Sequence, residues 1–409
     1  MIHRKTSVPL HPISVLVGPN NGGKSALFEA ILNFTMVSRG RLSQAFGPGP
    51  FSFRSRRSQG GSPSARISYD VDLAADPAGP RFLTYSISYA QSGSGDPARY
   101  QIFDERLTAS DGTVFFDRAE PESSPLTSAL TYLTDDQTIL SAIRRARFLG
   151  TYEEVDPLIT HVAQEVSRIG KYRLNPQFLS QPSQLPDVSA VEPLPEDERP
   201  SVAALSSPTL DYRGEGLATV LYFLAETGSP ALDEVVERLR ETVDGFAGFE
   251  FNAVGSERIG YSVRFDDSRA VVAAANLSDG TLSLIGLSVL LANPSRQHVI
   301  CIEEPENGLT PKSIRHLYQS MRRVAVPTDG SQGTQILISS HSPHVVCEAW
   351  NGDDRDFIYQ VKPSAGVAVV RQFSEVIKEQ KIHLEKDKFG VRERLNLNVA
   401  DQVMDGYLS

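Results

Sequence analysis

Cysteine is scarce in this sequence: Cys301 and Cys347 are the only two in 409 residues. Two cysteines give neither a disulfide framework nor the ligand spacing of a zinc site, so a reducing, cytoplasmic setting is the expectation. Cys301 sits in an apolar run and reads as a small buried side chain. Long hydrophobic runs are also missing, which excludes a helical membrane span. Nothing near Met1 reads as a secretory signal, because the chain leads at once into His3, Arg4 and Lys5 and then almost directly into a glycine-rich loop. No internal repeat and no sustained heptad occurs, which excludes solenoids and a long coiled coil. Positive charge is in deficit, with 40 Lys and Arg against 50 Asp and Glu and a net charge of -10. Such a balance excludes a chain whose whole surface grips nucleic acid, although it leaves room for a local basic patch. What remains is globular: 40% hydrophobic and 22% charged residues, in a length that allows two to three domains and a sizeable core.

The chain is organised around Gly18 to Ser25, GPNNGGKS. An apolar run, Ile13 to Val17, precedes it, and a helical pattern, Ala26 to Phe34, follows. Strand, glycine-rich loop and helix is the setting that a G-x-x-x-x-G-K-S match requires. Gly18, Gly22 and Gly23 let backbone N–H groups face inward as an anion nest, and the helix adds its positive end. Lys24 is placed to reach the outer phosphates, and the Ser25 hydroxyl to ligate Mg²⁺. A nucleoside triphosphate site is the reading.

Residues 36–64 are rich in Ser, Gly, Arg and Pro and read as a loop. Its basic run, Phe53 to Arg57, is either a solvated stretch or a contact for a phosphate backbone. Between Ser64 and Arg118 the periodicity becomes two, and ARISYDVDL, RFLTYSISYA, ARYQIFDERL and TVFFDRA read as a four-stranded antiparallel meander. Apolar steps of three and four predict helices over Leu126 to Leu149 and Tyr152 to Ile169. Arg144, Arg145 and Arg147 near one helix end read as a solvated face that suits the helix dipole. Pro and Ser crowd 172–208, an irregular excursion or lid. Two further helices are expected over Gly214 to Ala225 and Pro230 to Val243, then strands over Phe249 to Phe265.

The second half of the site comes late in the chain. Asn276 to Thr281, NLSDGT, leads into an apolar helix, Leu282 to Leu291. Val299 to Ile302 is a continuous apolar run of the kind found in buried parallel strands, and it ends in Glu303 and Glu304. Carboxylates at such a strand end stand where α/β sheets bind ligands. One can face Mg²⁺ while its neighbour, pointing the other way, polarises a water. Gln335 to Ile338 is another apolar run. It ends near His341, which can hydrogen-bond a γ-phosphate or the attacking water.

With these motifs in this order, the chain resembles the ABC-type ATPase domains of the SMC/RecF/OLD group, bacterial AAA family ATPases. GPNNGGKS stands as Walker A, LSDGT (Leu277, Ser278, Asp279, Gly280, Thr281) as the signature, VICIEEPENGLTP (Val299 to Pro311) as Walker B with its D-loop, and His341 in ILISSHSPH as the switch histidine. EEPENGL and SHSP are closer to the OLD-like pattern than to that of transporters. The resemblance implies an α/β fold, an ABC-type P-loop ATPase head of two lobes with a mixed sheet and an antiparallel β-meander. Its lobes would be 1–120 and 246–409, with an inserted, largely helical region at 121–245. It further implies that Gly18, Pro19, Asn20, Asn21, Gly22, Gly23, Lys24, Ser25 and Ala26 contact ATP and that Ser25 and Glu303 hold Mg²⁺. Glu304 would be the general base, with Lys24 and His341 beside it in catalysis. Ser278 and Gly280 would complete the ATP site of a second subunit, so a homodimer, or a higher oligomer, is implied by family.

Four departures stand out. Thr310 replaces the histidine common in this group. The strand before the phosphate loop is short, so Arg4 and Lys5 make poor adenine contacts. Gln91 is the nearest candidate for a Q-loop glutamine. After His341 two strands (Phe357 to Val361, Val367 to Phe373) and a helix are expected, without the acidic cluster of the Toprim nuclease domain that OLD proteins carry. The expected function is therefore Mg²⁺-dependent ATP hydrolysis by the regulatory module of a DNA-related system, in repair or anti-phage defence, with a separate effector such as a nuclease. DNA is a possible ligand and a membrane is not. The alternatives are a transporter ATPase and a slow, nucleotide-gated scaffold.

Overall fold

A computed structural model describes residues 8, 10–42, 67–74, 82–92, 99–151, 159–160, 163, 166, 168–185, 208–266, 271–292, 299–328, 333–352, 354–364, 367–380, 382, 384–386 and 393–405. The basic run Phe53 to Arg57, Arg4, Lys5, the side chain of Gln91, and most of the segments 152–169 and 186–207 lie outside these residues. In chain order the strands are β1 (Ile13–Val17), β2 (Ile67–Ala74), β3 (Phe82–Ser92), β4 (Arg99–Ala109), β5 (Val114–Asp117), β6 (Ile169–Tyr172), β7 (Ser183–Gln184), β8 (Phe246–Val254), β9 (Arg258–Phe265), β10 (Val271–Ala273), β11 (Val299–Glu303), β12 (Gln335–Ser340), β13 (Ile358–Ser364) and β14 (Val367–Gln372). The chain divides into two compact units: Ala26–Ile169, and Gly170–Ser409 together with Arg4–Ser25.

The larger unit is built on a six-stranded sheet in the order β14-β13-β1-β12-β11-β6. β1 runs parallel to both β12 and β13, and β11 runs parallel to β12. The sequence explains the position of β1: all five of its residues are buried, as a strand covered on both faces requires. Helix Asp279–Ala292 is buried continuously from Leu282 to Ala292. Gly286 lets it approach Leu174 and Leu179, because a Cβ there would stand 2.8 Å from a Leu179 methyl. A second antiparallel sheet, β10-β9-β7 with β8 beside β9, packs into the same core as helices Leu217–Glu226 and Pro230–Thr242. The helices within 121–245 thus divide between the two units: Ile139–Phe148 belongs to the core of the smaller unit, and the later pair to the core of the larger.

The smaller unit carries the expected meander, β2-β3-β4-β5, antiparallel throughout. The helix expected over Leu126 to Leu149 is instead two, Thr127–Leu130 and Ile139–Phe148. Thr134, Asp135, Asp136 and Thr138 interrupt it, residue types whose side chains compete for backbone groups and favour caps. Thr138 starts the second helix, its side chain accepting from the Ser141 N–H. A buried carboxylate ties this helix to the meander. Glu105 Oε1 accepts from Tyr85 Oη (2.5 Å) and the Ile139 N–H (2.7 Å), and Oε2 accepts from Arg118 Nη2 (2.7 Å). Burial pushes the Glu105 carboxyl up, and Arg118 opposes that shift. Replacing Arg118 with Met strips the cation from a fully buried carboxylate, so a loss of about 3–5 kcal/mol is expected. Denaturant unfolding measures it, and an unchanged midpoint would show that the pair carries no stability.

Among the described residues no helix is long and apolar enough to cross a membrane.

Candidate functional site

The register of the central sheet decides where the motifs meet. Val17 pairs with Ser340, and Glu303 with Ser339, so β1, β11 and β12 end side by side. The residues that follow these ends are Gly18, Glu304 and His341. Glu304 continues the ladder for one more bond, donating its N–H to the Ser339 carbonyl (2.8 Å).

The glycine loop is tight because the backbone of β13 presses on it. A Cβ at Gly18 would collide with the Val361 carbonyl, and one at Gly22 would stand 2.7 Å from the same oxygen. At Gly23 a Cβ would come within 2.5 Å of the Ala368 methyl. Gly18 and Gly23 also adopt φ of 144° and 104°, and Asn21 sits at 63°. These left-handed conformations suit Gly and are tolerated by Asn. Helix Lys24–Arg39 starts directly after. Lys24 is buried and donates through Nζ to the carbonyls of Gly18 (2.7 Å) and Pro19 (3.0 Å). Burial lowers its pKa, against the opposing pull of Glu304, Glu306 and Glu303. Ser25 and Asn20 are exposed, Pro19 and Ala26 half-buried.

The two adjacent carboxylates differ, as alternation along a strand demands. Glu303 is buried, and its Oε1 lies 3.4 Å from Lys171 Nζ without a hydrogen bond. Glu304 is more open. Its Oε2 accepts from Arg173 Nη2 (2.9 Å) and Asn307 Nδ2 (3.0 Å), and its Oε1 lies 3.8 Å from His341 Nδ1. It precedes Pro305 and takes a left-handed φ of 50°, a strained state for a non-glycine residue of the kind that clusters at functional sites. His341 is exposed and stands between Glu304 and Glu306, 3.7 Å from Glu306 Oε1.

Three residues in this cluster escape a reading of the sequence. Lys171 and Arg173 arrive on and just after β6, which pairs with the glutamate strand at the sheet edge. Glu306 passes in sequence for a surface D-loop residue, yet it is buried and bonded to Ser340. Its oxygen Oε2 and Glu303 Oε1 are both buried without a hydrogen-bond partner.

The turn Leu277 to Thr281 sits elsewhere, against the D-loop. A Cβ at Gly280 would lie 2.5 Å from the Gly308 carbonyl. Ser278 caps the helix that follows: its Oγ accepts from the Thr281 N–H (3.2 Å) and lies 2.8 Å from Thr281 Oγ1. Ser278 and Asp279 are exposed, and Leu277, Gly280 and Thr281 half-buried. Thr310, in place of the histidine common in the group, caps helix Pro311–Ala325 by accepting from the Ser313 N–H (3.2 Å).

The donor set suits a hard divalent cation. Among the described residues no group of three or more His, Cys, Asp or Glu could enclose a metal ion. Mg²⁺ needs no such enclosure, since one or two protein oxygens together with substrate phosphates and water suffice. Glu303 Oε1, buried and accepting no hydrogen bond, and the exposed Ser25 hydroxyl fit that requirement.

Over residues 13–347 the sequence matches the family described as "AAA domain, putative AbiEii toxin, Type IV TA system". No curated protein matches it. Similar solved structures include an SMC head bound to the C-winged helix domain of ScpA, at 12% identity over 91% of this chain and 94% of that one, with a TM-score of 0.42. The SMC head domain from Thermotoga maritima follows at 13%, 89%, 92% and 0.39. An Smc head domain with an extended coiled coil, bound to the C-terminal domain of ScpA and derived from Pyrococcus furiosus, stands at 13%, 91%, 94% and 0.38.

Proposed function

The chain belongs to this family of AAA domains, and from that premise we propose that it is a Mg²⁺-dependent ATP hydrolase that closes as a homodimer around ATP. The observation that carries the reading is the convergence of Gly18, Glu303, Glu304 and His341 at the ends of three adjacent parallel strands. Gly18 to Ala26 receive the phosphates through backbone N–H groups, and Lys24 exchanges its two carbonyl partners for phosphate oxygens. Ser25 and Glu303 hold Mg²⁺, which neutralises charge on the phosphates when bound. Glu304 accepts the proton of the attacking water, while Arg173 and Asn307 fix its carboxylate. His341 hydrogen-bonds the γ-phosphate or that water. Lys171 supports Glu303 from behind.

The turn Leu277 to Thr281 serves the partner subunit. It offers backbone N–H groups, the Ser278 hydroxyl and a helix N-terminus, and the chain's own phosphates already have a nest at Gly18 to Ser25. The family description names a toxin of a Type IV TA system. The setting proposed is a cytoplasmic module of anti-phage defence, acting near DNA through a separate effector such as a nuclease, with DNA repair as the other setting. A transporter ATPase is disfavoured by EEPENGL and LSDGT.

Subunit mixing tests the arrangement. Ser278→Arg should spare ATP binding to the single subunit but block closure and hydrolysis, and Lys24→Ala should fail at the nest. Each alone should release no phosphate above an EDTA control. Mixed, they can form one complete site per heterodimer, and partial Mg²⁺-dependent activity is expected. A fully active Ser278→Arg subunit would place the signature outside the reaction.

A further inference from the structure

We propose that Glu306 is a positioning residue for hydrolysis, clamping the switch histidine to the D-loop turn; this rests on the reading of the site as an ATPase. Glu306 Oε1 accepts from Ser340 Oγ (2.6 Å) and from the His341 N–H (3.2 Å). Ser340 Oγ in turn accepts from the Ser342 N–H (2.9 Å), so one carboxylate oxygen organises three consecutive residues of the switch. The other end of the clamp is the turn that carries the base. Asn307 N–H donates to the Glu304 carbonyl (3.2 Å) and Leu309 N–H to the Glu306 carbonyl (3.0 Å). The His341 ring lies between Glu304 and Glu306, its Nδ1 3.8 and 3.7 Å from their carboxylate oxygens.

Stability alone does not account for a carboxylate here. The Glu306 side chain is 5% exposed and its Oε2 has no hydrogen-bond partner. Burying a polar side chain with one oxygen unsatisfied is costly, so the bonds to the other oxygen serve something besides packing. Such a cost is retained where a geometry must be held, and a displacement of about 1 Å in a reacting group can lower a rate about a hundredfold. The group held is His341, which stands beside the candidate base and the phosphate loop. The D-loop turn that holds it is also the one packed on Gly280.

The test compares Glu306→Gln, Glu306→Ala and Ser340→Ala by steady-state ATP hydrolysis. Gln keeps an oxygen that can accept from Ser340 and His341, so turnover within about threefold of the unaltered chain is expected. Ala removes the clamp, and kcat should fall about ten- to a hundredfold with KM for ATP nearly unchanged. Ser340→Ala should lower kcat in the same sense and add little to Glu306→Ala, because both delete one link. If Gln is as damaging as Ala, the charge acts and the positioning role is wrong. An unaffected kcat in Glu306→Ala, or a loss confined to KM, also overturns it. Should Glu306→Ala not fold, the contrast between Gln and Ser340→Ala decides in the same way. An unaltered chain without turnover would defeat the ATPase reading and not this one. The clamp is then read from hydrogen exchange at the His341 amide, expected to be protected in the unaltered chain and in Glu306→Gln and fast in Glu306→Ala, which removes its acceptor. Equal exchange rates in all three would overturn the proposal.

Discussion

Lys24→Ala is expected to weaken ATP binding by at least about a hundredfold while the chain stays folded. Lys24 is the cation inside the glycine loop, and its ammonium now donates to two carbonyls, of Gly18 and Pro19. Each charge-assisted bond to phosphate is worth about 1.5–3 kcal/mol, and every 1.4 kcal/mol is a factor of ten in affinity. Charge adds to the loss. With Lys24 gone, the glycine loop loses the ammonium that Glu304, Glu306 and Glu303 act on. Folding should change little, because burial already disfavours the charged lysine and the β13 backbone that packs against the loop is left in place. A fluorescent ATP analogue and a thermal melt measure the two halves of the claim. Binding at wild-type affinity by a folded variant would remove the loop from the function.

Glu304→Gln should leave ATP binding intact and lower turnover by about a hundredfold or more, the scale of a lost general base. The amide is nearly the shape of the carboxylate, and its oxygen can still accept from Arg173 or Asn307. The backbone bond to Ser339 is untouched. Only the capacity to take a proton is gone, so the nucleotide-bound dimer should accumulate and light scattering at micromolar protein should detect it. A monomer under those conditions would argue against closure around ATP. Glu303→Gln separates the neighbours, since it should weaken Mg²⁺ binding and raise the Mg²⁺ concentration that hydrolysis needs. If Glu303→Gln is harmless and Glu304→Gln loses Mg²⁺, the assignments of the two carboxylates are reversed.

Much of the site is written in local patterns. Apolar runs mark β1, β11 and β12, and a glycine-rich loop before a helix marks the nest. Period-two stretches are enough to mark the meander. The rest depends on long-range pairing. β6 is four residues, Ile-Gly-Lys-Tyr, with a lysine in the middle, and nothing in its composition says that it lies beside β11. Lys171 and Arg173 are therefore invisible as site residues until the sheet is assembled. Glu306 is hidden for the opposite reason: PEN reads as an exposed turn, and only the approach of Ser340 from the next strand buries it. Helical periodicity carried Leu126 to Leu149 past a break that Thr134, Asp136 and Thr138 impose.

The contact between the phosphate loop and β13 bears on how this family varies over evolutionary time. Gly18 and Gly22 face the Val361 carbonyl oxygen, a group every amino acid carries. Drift at position 361 therefore leaves the pressure on both glycines unchanged, and no exchange there opens space for a side chain in the loop. The two glycines are locked by a partner whose identity is irrelevant to them. A search for correlated substitutions would find no signal between these positions, although the loop lies against that backbone. Gly23 differs, because it meets the Ala368 methyl, and that pair alone has a side chain through which sequence change on one side can be felt on the other.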